Sequence, residues 1–197
     1  VAQAYFNTNP ILDRYELTEL TQRTIDRFVF IKFLEDKNIE PYSIIQKIAN
    51  SKKPWDKFVE ESKRLNLKYN GQIFSPMFIE KNKNNIPFNA PDNELFSSIC
   101  KELDANNTPY DFNYFPIHIL GNIYERFLGK SIFIENGKIN VDLKPEIRKA
   151  GGVFYTPKYI VDYIIENTIG KLINGKTPAE IADLSFADIA CGSGSFL

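Results

Sequence analysis

At 197 residues, with 43% apolar and 14% aromatic side chains, the chain can bury a core and has room for one to two domains. Its 24 Lys and Arg against 25 Asp and Glu give no global basic field, so any nucleic-acid contact must be local or lie outside this chain. It begins at Val1 with no charged-then-apolar leader and no apolar run near about eighteen residues, which argues against secretion and membrane insertion and for a cytoplasmic protein. Cys100 and Cys191 match no zinc or disulfide spacing, and His118 is the sole histidine, so no metal site is expected.

From Glu16 to Asp36, Leu17, Leu20, Ile25, Phe28, Val29, Ile31, Phe33 and Leu34 recur at three- and four-residue steps, predicting a long helix buried on more than one face. Glu19, Arg23, Asp26 and Arg27 are expected to fill its exposed stripe, and Asn38 to stop it. A second helix is expected around Ile44, Ile45 and Ile48, and an amphipathic one from Trp55 to Leu67. The basic stretch Lys52 to Lys68 reads as a solvated helix face, because Asp56, Glu60 and Glu61 interrupt it at helical spacing. Asn70-Gly71 then reverses the chain.

Lys81 to Asn93, rich in Lys, Asn and Pro, predicts a surface loop, followed by a short helix from Asn93 to Leu103. Ile117, Leu120, Ile123, Tyr124 and Phe127 predict another buried helix ending at Gly129. Ile132 to Ile134 and Ile139 to Val141 flank Asn136-Gly137, the signature of a tight hairpin. After the Gly151-Gly152 break, Thr156 as N-cap and Pro157 at the first helical position predict a helix carrying Ile160, Val161, Ile164, Ile165, Ile169 and Leu172. Leu184 to Ala190 predicts a short strand running into the Gly192-Ser193-Gly194 turn. The expected fold is mainly α: a helical domain over 1–146 with a small hairpin near 132–141, then 150–197 as the truncated start of an α/β Rossmann-like domain.

A strand leading into Gly-x-Gly is how nucleotide-binding βα units begin, since glycines let backbone N–H groups approach a ligand closely. No lysine follows Gly192 or Gly194, so a Walker phosphate loop is excluded. The pairing of Asp188-Ile189-Ala190-Cys191-Gly192-Ser193-Gly194-Ser195-Phe196-Leu197 with Gly152-Val153-Phe154-Tyr155-Thr156-Pro157 about thirty residues upstream resembles motifs I and X of N6-adenine DNA methyltransferases, in the family's order. Four further segments resemble type IIG fused methylase and restriction proteins and related phage-defence methylases: Arg27 to Asp36, Tyr69 to Phe74, Tyr110-Asp111-Phe112, and Ile119 to Gly129.

The resemblance implies S-adenosylmethionine as cofactor, double-stranded DNA as partner through a full-length protein, and an associated restriction or specificity module. Tyr155 and Thr156 would hold the cofactor's methionine end near a helix N-terminus. Asp188 would open the glycine motif, and the backbone of Ala190, Cys191, Gly192 and Gly194 would shape the turn beneath methionine and ribose. Phe154 and Phe196 read as core packing, His118 as a buried hydrogen-bonded histidine, and Cys191 as a small packing residue and not a nucleophile. The family's Asn/Asp/Ser-Pro-Pro-aromatic motif, which receives the amino group of a flipped adenine, does not occur in these residues, so no catalytic residue is assigned and the chain alone is expected to be inactive. A nuclease cluster of Asp, Glu and Lys is not found in the first hundred residues. Competing readings are a non-enzymatic helical module that binds DNA or protein, and a methyltransferase acting on protein or a small molecule.

Overall fold

In the computed structural model, residues 1–41, 43–81, 88–104, 107–115, 121, 127, 129–149, 156–189, 191 and 196 are described. The longest element, α2 (Arg14–Asp36), starts where its first turn is satisfied by side chains on both sides. The Asp13 carboxylate accepts the N–H groups of Tyr15 and Glu16 at 2.7 and 2.8 Å, and the Glu16 carboxylate accepts the Asp13 N–H at 3.0 Å. This reciprocal pair is a capping box. At the far end Asn38 takes φ 55°, and the N–H groups of Ile39 and Glu40 fold back onto the Leu34 carbonyl, so the expected stop holds.

Around α2 gather α1 (Ala2–Thr8), α3 (Ile44–Ala49), α4 (Pro54–Tyr69), a 3-10 turn (Gln72–Phe74), α5 (Phe78–Lys81) and α6 (Asn93–Leu103). The first of these has no counterpart among the expected helices; α3, α4 and α6 fall where periodicity puts them. Helix α4 ends at Asn70 in the left-handed conformation (φ 48°, ψ 34°), so the Asn-Gly pair acts as a helix stop. Aromatic rings fill the core: Phe28 stacks on Phe58 at 4.6 Å, and Trp55 meets Phe96 edge-on at 5.6 Å. Phe88, from the expected surface loop, packs beside Tyr5 and Trp55; residues 82–87 of that loop lie outside the described residues.

Strands β1 (Lys130–Glu135) and β2 (Lys138–Leu143) form a two-stranded sheet, as expected. Asn136 and Gly137 at φ 51° and 73° make the two-residue turn whose twist matches the strands. Ile132 drops into the helical core. The chain divides into two compact units, the first comprising Val1–Phe115 with Lys130–Asp142, the second Pro116–Gly129 with Leu143–Leu197. The helix expected over Ile117 to Phe127 lies mostly outside the described residues.

In the second unit the described elements are α7 (Pro145–Lys149), α8 (Lys158–Asn167), α9 (Ile169–Ile173) and α10 (Pro178–Ala182). Three expectations are corrected here. The helix over 157–172 is broken in two at Thr168, whose φ of −121° and ψ of −89° are not helical. Its start is shifted: Pro157, at ψ 144°, is the cap residue, and Thr156 lies outside the helix. A residue before proline is sterically driven to extended backbone, and proline has no N–H to lose at either position. Leu184 to Ile189 forms no strand: among the described residues the sheet holds β1 and β2, and without a neighbouring strand there is no ladder. Among the described residues no helix is long and apolar enough to cross a membrane.

Candidate functional site

The polar residues of α2 do not form the exposed stripe expected of them. Leu20, Thr24, Arg27, Ile31 and Leu34 follow one another at three- and four-residue steps on the buried side, so Arg27 belongs to the core-facing row. Its side chain is fully buried. The guanidinium donates to the Ile73 carbonyl (3.2 Å), the Ser75 carbonyl (2.7 Å) and Glu80 Oε1 (2.6 Å). Burial draws its pKa below the ordinary arginine value, and Glu80 opposes that shift. Arg23, half-buried, adds bonds to the Ser75 carbonyl and hydroxyl at 2.5 and 2.7 Å. Asp26 is also half-buried, and burial pushes its carboxyl up to about 6 against the pull of Arg23. Only Glu19 of the expected stripe is exposed.

Towards the end of α2, Lys32 pairs with Asp36 at 2.5 Å, both side chains buried. The second Asp36 oxygen accepts the Phe112 N–H at 2.9 Å, and the Asp36 carbonyl accepts the side-chain amide of Asn113. Glu35 turns its carboxylate to the start of α3, accepting the N–H groups of Ser43 (3.3 Å) and Ile45 (3.0 Å). Burial raises the Glu35 pKa, with those amide bonds working against the shift. Beyond the helix, burial penalises the Glu40 carboxylate, yet hydrogen bonds from Lys68 (2.5 Å), Tyr69 (2.8 Å) and Arg64 (3.0 Å) outweigh it and hold the pKa below normal. The basic residues from Lys52 to Lys68 are exposed or half-exposed, as expected, but Glu61 is buried; Arg64 and Lys68 are pinned to the Glu40 carboxylate.

These contacts join three of the four segments that resemble methylase-restriction fusions. Arg27 and Phe30 of the first reach Ile73 and Phe74 of the second, and Phe33 and Asp36 of the first reach Phe112 of the third. The fourth lies mostly outside the described residues. What this arrangement does chemically is hold loops: each carboxylate faces a cation or backbone amides. Among the described residues no group of three or more His, Cys, Asp and Glu could hold a metal ion. Periodicity places Arg27 in the exposed stripe and gives no role to Glu35, Asp36 or Glu80, whose partners lie elsewhere along the chain.

Of the seven cofactor-binding candidates, Thr156, Asp188 and Cys191 are described, and all belong to the second unit. Thr156 is half-buried, just before α8. The Pro157 carbonyl accepts the N–H groups of Ile160 and Val161 at 2.9 and 3.2 Å, and no side chain caps the helix. The first turn of α8 contains no acidic residue. Asp188 is half-buried, and the Cys191 side chain is exposed. Tyr155, Ala190, Gly192, Gly194, Phe154 and His118 lie outside the described residues; Phe196 is half-buried.

The chain is homologous to fused restriction and modification proteins. It is 33% identical over 198 residues to the type II restriction enzyme and methyltransferase RM.Eco57I of Escherichia coli, an alignment covering all of this chain and 19% of that protein. It is 24% identical over 184 residues to a putative type II restriction enzyme and methyltransferase of Methanocaldococcus jannaschii, covering 76% of this chain and 14% of that protein. The chain thus spans less than a fifth of the length of the curated relatives it matches. No family model matches, and no solved structure matches.

Proposed function

We propose that this chain is part of a site-specific DNA N6-adenine methyltransferase of a restriction-modification system, with its second unit as the Rossmann-like start of the methyltransferase domain. The observation that carries the reading is homology along the whole chain to restriction-methyltransferase fusions, with both cofactor motifs falling in one compact unit.

S-adenosylmethionine, when bound, supplies an electrophilic methyl group on sulfur. The residues at the head of α8 suit its carboxylate: an uncapped first turn free of acidic side chains leaves N–H groups and the positive end of the helix dipole to meet an anion. Tyr155 and Thr156 hold the methionine end there. Asp188 opens the glycine turn, and the backbone of Ala190, Cys191, Gly192 and Gly194 lines it. The first unit contributes support to this machinery, and double-stranded DNA is engaged through the full-length protein.

The test uses the complete product of the gene that encodes this chain. Incubation with methyl-labelled S-adenosylmethionine and double-stranded DNA, followed by nucleoside analysis, is expected to yield N6-methyladenine. Asp188→Ala is expected to weaken cofactor binding by roughly tenfold to a hundredfold, the scale of lost charge-assisted hydrogen bonds. Failure of that protein to take up the cofactor, or methyl transfer to protein alone, overturns the reading.

A further inference from the structure

Three crossings between the units divide the chain: it leaves the first after Phe115, returns at Lys130 and leaves again after Asp142. The first two of these points are each fastened, inside the first unit, to the same helix. At the C-terminal end of α2, Asp36 accepts the Phe112 N–H and the Asn113 side chain while Lys32 fixes the other carboxylate oxygen. At the N-terminal end, the Thr18 hydroxyl accepts the Ile132 N–H at 3.1 Å and Gln22 donates to the Lys130 carbonyl at 3.1 Å.

We propose that α2 is a spacer setting where the chain leaves and re-enters the first unit, with Asp36 clamping the exit at Phe112 and Asn113, and Thr18 with Gln22 clamping the return at Lys130 and Ile132.

The hydrogen-bond directions are determined by chemistry. The Arg14 carbonyl can only accept, so the Thr18 hydroxyl spends its hydrogen there at 2.6 Å and turns a lone pair to Ile132. Both Asp36 oxygens have a donor, and both partners of the Lys32–Asp36 pair are buried, so releasing either leaves a group without its solvation. Phe33 lies against Phe112, with ring centres 6.4 Å apart, which adds an apolar contact to the exit clamp. The helix is capped at its start and its apolar row is buried in the core, so it is a stiff rod. At 1.5 Å per residue, 14 to 18 residues separate the clamps by roughly 21–27 Å. Phe112 and Asn113 before the crossing, and Lys130 and Ile132 after it, are therefore fastened to one element.

The test is hydrogen exchange on the whole chain, read in peptides covering 17–34, 111–115 and 116–129. In Lys32→Met with Asp36→Asn, an amide oxygen still faces Phe112; in Lys32→Met with Asp36→Ala, none does. Thr18→Val removes the Ile132 bond of the return clamp, leaving that of Gln22, with little change in side-chain size. Residues 116–129 are expected to exchange about tenfold faster in the Ala double variant and in Thr18→Val, with 17–34 unchanged and the Asn double variant like wild type. Equal acceleration of 17–34 and 116–129, identical behaviour of the two double variants, or wild-type exchange of 116–129 at the unprotected rate overturns the proposal. A cofactor titration extends it and rests on the methyltransferase reading: the Ala double variant binds S-adenosylmethionine several-fold more weakly than the Asn double variant. If wild type binds none, that reading fails while the exchange pattern still decides the spacer.

Discussion

The two units keep their apolar side chains in opposite ways. In the first, Tyr5, Phe28, Trp55, Phe58 and Phe96 form one buried cluster, and the charged residues that share the interior are paired or bonded to backbone. In the second, Val161 is the buried apolar side chain among the described residues, while Tyr159, Tyr163, Leu172, Phe186 and Ile189 are exposed. Helices α9 and α10 carry strong local signals: the Thr177 and Glu180 capping box, Gly175 at φ 77°, and Gly170, where a Cβ would meet the Ile165 carbonyl at 3.3 Å. A helix of this length in water is marginal on local signals alone. Tertiary packing stabilises the first unit; capping and turn chemistry shape α9 and α10 of the second.

Matched truncations test that contrast most strongly. Phe28→Ala removes a ring between Phe58 and Phe96 and is expected to cost about 3–5 kcal/mol, whereas Val161→Ala should cost about 1 kcal/mol. Trp55 is the sole tryptophan and lies in the first core, so its fluorescence during urea unfolding reports that unit. The Phe28 variant should shift the Trp55 transition to much lower urea, and the Val161 variant should leave it in place. Equal shifts would mean that both units draw on one core.

How far the sequence reveals this contrast depends on what kind of signal each element carries. Helices α4 and α6 and the hairpin were legible because periodicity, caps and Asn-Gly turns act within a few residues. The end of α2 was legible in Asn38, but the burial of Arg27 was not, because its acceptors come from Ile73, Ser75 and Glu80, far along the chain. A long cation on a helix looks the same in sequence whether water or a buried carboxylate receives it. The expected strand over Leu184 to Ala190 failed for the same reason in reverse: apolar residues state a preference, and a ladder needs a neighbour. Of the candidate site, local motif order was legible, while the arrangement of Tyr155, Thr156 and Gly192 in space depends on long-range pairing.

Asp26 gives a sharper reading of the interior electrostatics of the first unit. Its folded pKa of about 6 lies above the unfolded value near 3.9, so its contribution is fully present below about pH 4 and is lost as pH rises through about 6. Above that window the half-buried carboxylate is charged at a cost. Asp26→Asn should therefore stabilise the protein by about 1 kcal/mol at pH 7.5, after discounting for partial exposure, and by much less at pH 4.5. Unfolding midpoints at the two pH values check it; equal shifts at both would show that burial of the charge is not the cause.

The smallest effect is expected at the hairpin turn, where backbone strain can be separated from packing. A Cβ at Gly137 meets nothing within 4 Å, so Gly137→Ala carries no steric clash. Its φ of 73° is nevertheless a conformation that an L-residue other than Asn or Asp rarely adopts, and the cost should be about 1 kcal/mol. Gly137→Asn should recover part of that loss, because the short amide side chain tolerates the left-handed region. Since Ile132 anchors β1 in the first core, the loss should appear in the Trp55 transition as well as in exchange of the β1 and β2 amides. If Ala and Asn cost the same, the turn conformation is not what limits the hairpin; if only the strand amides respond, the hairpin opens independently of the core that Ile132 enters.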